Sequence, residues 1–164
     1  MNKEVLKSKQ AIVKDVVEKA KNASTIVVAE YRGLSVAELQ EIRRALRKED
    51  AELCVYKNSL VERAFDEVGY SDAKEILSGP NAVIFSKDTV SGAKVAAKYS
   101  KKTDGLLFIK GGIVEGKFNN ADQIKVIATL PNREGLISMF LSCLQAPVRS
   151  FACAIKAVAE KSNA

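Results

Sequence analysis

Cationic side chains are the chemistry this sequence offers in quantity. Lys3, Lys7, Lys14 and Lys21 recur so that, at about 100° per residue, they share one flank of a helix. Arg43, Arg44, Arg47 and Lys48 take one side of a second helical run, with Glu38, Glu41 and Glu49 on the other. Lys94, Lys98 and Lys101 align on a third. Lys57-Asn58-Ser59 stands where a strand-like run gives way to a helical one, offering a cation, an amide and a helix N-terminus to a phosphate. Arginine forks bind phosphate bidentately, which adds geometry to charge. A single such stripe is most often a solvated helix face. Three stripes together with Lys57-Asn58 point to a polyanion. The 26 Lys+Arg against 20 Asp+Glu, a net charge of +6, lean the same way but only moderately. Aromatic residues are few and none interleaves with the basic runs, which speaks for a folded, phosphate-rich RNA surface read by shape rather than a single strand stacked on rings.

Catalytic chemistry is poorly provided for. With no histidine, the commonest general base and the usual zinc ligand are missing. Cys54, Cys143 and Cys153 are odd in number and far apart, and no C-x-x-C occurs, so neither a zinc knuckle nor a disulfide framework is indicated. The bland reading of each is a small buried hydrophobe in a reducing compartment. Gly111-Gly112-Ile113-Val114-Glu115-Gly116-Lys117 imitates a phosphate-binding loop, but Phe118 stands where Ser or Thr would ligate Mg²⁺. A bulge or hairpin at Gly111-Gly112 accounts for it better. Acidic pairs such as Asp66-Glu67 and Glu49-Asp50 read as solvated surface. No catalytic residue, metal or cofactor is expected.

The elements that must carry the basic residues alternate. Helical period runs over 3–21, then a β-branched strand over Thr25–Tyr31 and a turn at Arg32-Gly33-Leu34. Ser35 and Glu38 form a capping box for a helix reaching about Glu49. A strand over 51–56, a helix near 59–67, a break at Gly79-Pro80-Asn81, a strand over 82–85, a helix over 88–102 and a strand at 106–109 follow, with Asn120 capping a last short helix. This alternation predicts an α/β domain over 1–130: two layers, with a mixed sheet. Hydrophobic residues at 47% can fill its core. The start, Met1-Asn2-Lys3-Glu4, has no apolar stretch of the signal-peptide kind, and no run approaches about 18 uninterrupted apolar residues, so no membrane span is expected.

Leu130-Pro131-Asn132 marks the boundary to a strand-free segment, 131–164. Its first stretch runs to Ala146, and Pro147 is read as opening a second helix, at whose first turn its missing N–H costs least. There Val148, Phe151, Ala152, Ile155, Val158 and Ala159 make an apolar stripe, opposite Arg149, Lys156 and Glu160. The stripe must be buried against its own domain or against a partner; periodicity leaves both open, and the sparse cations make a membrane surface the weaker alternative.

Several motifs then occur in order: Val28-Ala29-Glu30-Tyr31-Arg32-Gly33-Leu34-Ser35-Val36-Ala37-Glu38-Leu39; Ile42-Arg43-Arg44-Ala45-Leu46-Arg47; Val55-Tyr56-Lys57-Asn58-Ser59-Leu60; Gly79-Pro80-Asn81-Ala82; Leu130-Pro131-Asn132-Arg133-Glu134; and Leu144-Gln145-Ala146-Pro147-Val148. Together they resemble the bacterial large-subunit ribosomal protein ten family, the base of the ribosomal stalk, over nearly the whole chain. The resemblance implies an N-terminal domain binding large-subunit rRNA in the region shared with ribosomal protein eleven. It also implies a C-terminal helical spine binding dimers of the acidic seven/twelve stalk protein, which recruit GTP-bound translation factors. Carried onto this chain, the rRNA residues are Lys7, Lys14, Arg32, Gly33, Arg43, Arg47, Lys57, Asn58 and Ser59. The stalk-protein residues are Phe140, Leu141, Leu144, Val148, Phe151, Ile155 and Val158. About 18 residues follow Pro147, roughly 27 Å of helix, which suits two dimers rather than three. Ser59 and Asn81 stand where the family often has Thr.

Overall fold

The computed structural model describes residues 3–103, 105–131 and 133–162. Asn132, part of the expected boundary, lies outside them. The chain divides into two compact units, Met1–Leu130 and Pro131–Ala164.

In the first unit the order is α1 (Lys3–Asn22), β1 (Thr25–Glu30), α2 (Val36–Lys48), β2 (Ala51–Cys54), α3 (Asn58–Val68), a 3-10 turn (Ser71–Ile76), β3 (Asn81–Ser86), α4 (Ser91–Lys102), β4 (Phe108–Val114), β5 (Lys117–Asn120) and α5 (Ala121–Thr129). The sheet order is β2-β3-β1-β4-β5. Every described pairing is antiparallel, so the sheet is not mixed. The reason lies in the crossovers. β1 and β2 run in the same direction, as the helix between them requires, but β3 inserts between them; β1 in turn inserts between β3 and β4. Alternating helices and strands therefore leave no parallel neighbours.

The unit has three layers, not two. One face of the sheet is packed by α1, α3 and the 3-10 turn through Val16, Ala20, Val61 and Phe65, over Ile26, Val28, Val83 and Phe85. The other is packed by α2, α4 and α5 through Ile42, Leu46, Ala93, Ala96 and Ile124, over Val27, Ala29, Ala82 and Ile84. The central strands β1 and β3 are consequently buried on both faces. That explains their near-continuous apolar runs, which lack the alternation of a half-exposed strand.

Local chemistry sets the boundaries. The Ser35 hydroxyl accepts from the Glu38 N–H at 3.3 Å while Glu38 Oε2 accepts from the Ser35 N–H at 2.8 Å. α4 starts at Ser91, three residues later than the sequence suggests, because Ser86 and Asp88 are occupied in a turn: Ser86 Oγ donates to the Asp88 carbonyl and Ser91 Oγ to the Asp88 carboxylate. Gly111-Gly112 does not interrupt β4. Val28 pairs with Gly111 and Ala29 with Ile109, so Lys110 is the extra residue of a bulge. A Cβ on Gly112 would lie 2.4 Å from the Ile26 carbonyl oxygen, so only glycine lets β4 approach β1. The chain then reverses at Glu115-Gly116, both at positive φ, into β5. The phosphate-loop look-alike is thus a β-hairpin whose backbone groups pair within the sheet.

The second unit is α6 (Arg133–Ser162), a single helix of 30 residues with Pro147 inside it. Pro147 does not begin a second helix. A helix interior tolerates proline at about 3 kcal/mol, and the strong formers Leu144, Gln145 and Ala146 precede this one, with Arg149 and Ala152 after it. Cys143 and Cys153 are exposed on α6 and Cys54 is half-buried, so the expectation of buried cysteines fails for the first two. Ten residues separate Cys143 and Cys153, about 15 Å along one helix, too far for them to pair with each other.

Candidate nucleic-acid interface and partner helix

The strand directions gather four loops at one end of the first unit. β1 ends there, while β3 and β4 begin there, since Glu30 pairs with both Asn81 and Phe108. β2 also ends there, Cys54 lying opposite Val83. The segments 31–34, 55–58, 78–80 and 105–107 therefore meet. Their connections are specific. Asn58 Nδ2 donates to the Gly79 carbonyl at 2.8 Å. The Tyr31 N–H donates to the Pro80 carbonyl at 3.4 Å. Lys110, the bulge residue, is ion-paired to Glu30 at 2.7 Å with side chains only 15% and 24% exposed, and also donates to the Ser78 carbonyl. A Cβ on Gly33, whose φ is +91°, would sit 3.2 Å from Leu106.

This end carries Arg32, Gly33, Lys57 and Ser59 exposed to solvent, with Asn58 half-buried at the base. Asn58 is committed to Gly79 through its amide donor, so its first role is to tie two loops together. The exposed apolar side chains Val36, Val55, Leu106 and Phe108 belong to the same end. From it α3 leads into a groove of about 440 Å³ against α1, lined by Lys9, Gln10, Val13, Lys14, Leu60, Arg63 and Glu67. Lys7 is exposed, two turns nearer the start of α1.

Arg47 is elsewhere. With Lys19, Lys87, Asp50 and Glu52 it lines a cavity of about 380 Å³ at the opposite end of the sheet. The six residues of β1 separate the two ends by about 17 Å. Arg43 is half-buried, one helical turn before Arg47. At that far end Lys19 bonds Glu52 at 2.8 Å. This hydrogen bond holds the Glu52 carboxyl below its ordinary value of 4.5 and the lysine above its ordinary 10.5. Burial, then a hydrogen bond involving Cys54, pushes the Tyr56 hydroxyl up.

In α6 the apolar side chains Ile137, Leu141, Leu144, Val148, Phe151, Ile155 and Val158 are all more than half exposed, as is Phe140. The first seven are spaced four, three, four, three, four and three residues apart. That is a heptad-type seam running without interruption through Pro147. Ion pairing on the helix is slight, Lys156 and Glu160 being 3.8 Å apart. Contrary to the expectation from run length, Glu134–Glu160 is long and apolar enough, with a mean hydropathy of 1.3, to cross a membrane by length and composition alone. One such helix is weak evidence.

Comparison with known proteins decides the family. The family model described as ribosomal protein L10 matches residues 4–101, and that of the ribosomal protein uL10 C-terminal region matches 130–164. The chain belongs to the ribosomal protein L10 family. Among similar relatives are the large ribosomal subunit protein uL10 of Bacillus cereus (strain B4264) and that of Bacillus anthracis (strain A0248). Each is 45% identical over 160 residues, covering 97% of this chain and 96% of the relative.

For this L10-family chain, the structure brings Arg32, Gly33, Lys57, Asn58 and Ser59 together and connects them through α3 to Lys14. It separates them from Arg47. Sequence reasoning missed Lys9, Gln10 and Arg63. Their signal is visible only once α1 and α3 are known to lie side by side, because Arg63 stands alone among Glu62, Asp66 and Glu67 in its own helix. It also missed Lys110, whose place depends on the bulge.

Proposed function

We propose that this L10-family member, a ribosomal protein of the cytoplasmic large subunit, binds large-subunit rRNA through its first unit and holds acidic stalk-protein dimers on α6. The family is one of ribosomal structural proteins rather than enzymes. The RNA contact is made by the four-loop end, with Arg32 and Lys57 on phosphates, Gly33 permitting close backbone approach, and Ser59 and Lys14 extending the surface along the α1–α3 groove. Lys7 lies beyond Lys14 on the same flank, and Arg43 and Arg47 are more remote contributors. Ribosomal protein eleven shares the rRNA region. The observation that carries the reading is the convergence of four loops, three of them tied together through Tyr31, Asn58 and Lys110, around the exposed cations Arg32 and Lys57. A surface held rigid before binding loses little entropy on binding.

The spine reading rests on the uninterrupted seam. From Ile137 to Val158 it extends about 32 Å at 1.5 Å per residue, room for two dimers laid end to end. Such a seam is what a helix offers to partner helices. The dimers recruit translation GTPases, so this chain acts on them only indirectly. A bilayer is the lesser reading. Arg149 falls near the middle of the apolar stretch, where an arginine costs about 2.5–3.5 kcal/mol. Co-sedimentation of the intact protein with anionic vesicles in preference to the acidic partner would favour the bilayer.

The RNA half is tested by the double substitution Arg32→Ala/Lys57→Ala. With each charged contact worth about 1.5–3 kcal/mol, affinity for large-subunit rRNA should fall by roughly a hundredfold or more, and the slope of log affinity against log salt should shrink by about two. An unchanged slope would remove these residues from the interface.

A further inference from the structure

We propose that Phe108 is the stacking seat for a single splayed-out nucleobase of the RNA held at the four-loop end. This rests on the reading of that end as an RNA surface and names the residue that meets a base there. Among the described residues of the first unit, Phe108 is the one exposed aromatic side chain, at 53%. The other seven phenylalanines and tyrosines of the unit are buried or half-buried. Phe108 opens β4, and its neighbour Ile109 is buried in the core beneath α2, α4 and α5. Alternation along the strand therefore turns Phe108 to the other side of the sheet, the side of α1 and α3. On that side the 3-10 turn covers β4 at Gly111, where a Cβ would lie 3.5 Å from Ile76. Phe108 stands beyond that cover.

A lone exposed apolar residue is ordinary on a protein surface, so the surroundings of Phe108 decide its use. Directly across the sheet stands Glu30, whose carboxylate is neutralised by Lys110 at 2.7 Å. A Cβ on Gly79 would lie 3.5 Å from Lys110 Nζ, and the Gly79 carbonyl accepts from Asn58, next to Lys57 in the chain. On the other flank, two residues before Phe108, Leu106 lies against Gly33, next to Arg32. Phe108 is thus connected through a few neighbours to each of the exposed cations Arg32 and Lys57. The four segments that meet there, 31–34, 55–58, 78–80 and 105–107, contain no carboxylate of their own. A bare ring among cations matches the two halves of an unstacked nucleotide: a face for the base, and charge for the phosphates beside it. A protein partner would instead be anchored by large apolar side chains at the centre of a dry pocket, whereas the ring has a charged pair opposite it. One ring suits one base extruded from a folded RNA, not a track of stacked bases. Because every base has a π-face, the stack selects an unpaired base without selecting which base it is.

The test uses the full chain carrying Phe108→Leu or Phe108→Tyr, titrated with large-subunit rRNA across a salt series. The side chain is exposed, and an unchanged thermal midpoint verifies the fold. Leucine keeps apolar bulk without a π-face, and tyrosine keeps the ring. Phe108→Leu should weaken rRNA binding by about tenfold, with the slope of log affinity against log salt unaltered, because no cation is removed. Phe108→Tyr should stay within about twofold of the parent. Parent affinity in Phe108→Leu would overturn the proposal, and so would a loss in Phe108→Tyr as large as that in Phe108→Leu. Intact rRNA binding by Phe108→Leu with weakened capture of ribosomal protein eleven would also overturn it, assigning the ring to a protein contact. Arg32→Ala/Lys57→Ala, run alongside, separates this proposal from the reading beneath it. If that double variant binds rRNA as the parent does while Phe108→Leu binds more weakly, the base seat stands and the cationic contacts fail. If only the double variant is weakened, the RNA surface stands and the base seat fails.

Discussion

Individual residues at the four-loop end combine structural and recognition duties, and these can be separated by substitution. Gly33 holds φ at +91°, where a side chain is strained, and a Cβ would press on Leu106 at 3.2 Å. Gly33→Ala should therefore cost about 1–2 kcal/mol of stability, read by denaturant unfolding, in addition to any loss of RNA affinity. A stability equal to the parent would mean the turn is free to relax. At the opposite end, Glu52 is held below its ordinary value by Lys19. A lowered carboxylate contributes stability that is complete above its unfolded value, near 4.5, and is lost as pH falls through the folded value. Lys19, raised in the fold, stays charged throughout that range and adds no slope. Glu52→Gln should thus narrow its stability gap to the parent between about pH 6 and about pH 3. A gap constant with pH would show the ion pair to be thermodynamically silent, as many exposed pairs are.

Among the elements, the Ser35–Glu38 capping box is a clear local signal. Ser35→Ala should lower thermal stability by about 1 kcal/mol, checked by calorimetry. Helix and strand positions were largely legible in the sequence because each carries its own punctuation: Asn22-Ala23-Ser24 before β1, Ser35 before α2, Asn120 before α5. The Arg32-Gly33 and Lys57-Asn58 motifs were legible for the same reason. What was not legible depended on contacts between distant segments. Nothing in β1 or β3 alone says that each slots between two strands of another crossover, so an antiparallel sheet was expected to be mixed. Two-sided burial was written in their apolar runs, yet the third layer was overlooked. Arg63 and Lys9 become neighbours only through α1–α3 packing. Arg47 looked equivalent to Arg43 on the helical wheel, but the length of α2 carries it to the far end. Pro147 misled in the other direction, because its local rule is overridden by the 30-residue helix that continues through it. Pro147→Ala should raise α6 stability by about 3 kcal/mol, seen as slower amide exchange around Cys143, without weakening partner capture.

At the scale of the whole molecule, each unit carries its own surface chemistry. The first has a doubly covered sheet and cationic concavities; the second is one helix with an exposed apolar seam. Neither surface resembles the other, and the two proposed partners, a polyanionic RNA and a helical protein, differ accordingly. Independence of the two functions is the central claim. It is tested most directly by native mass spectrometry of the full chain carrying Phe151→Asp, alongside the parent, each mixed with the small acidic stalk protein and large-subunit rRNA. The parent should carry four copies of the acidic protein, two dimers. The variant should lose at least one dimer while keeping rRNA affinity within about twofold, since sites on separate units without shared partners act additively. Four copies retained on the variant, or rRNA affinity lost together with the dimer, would contradict it.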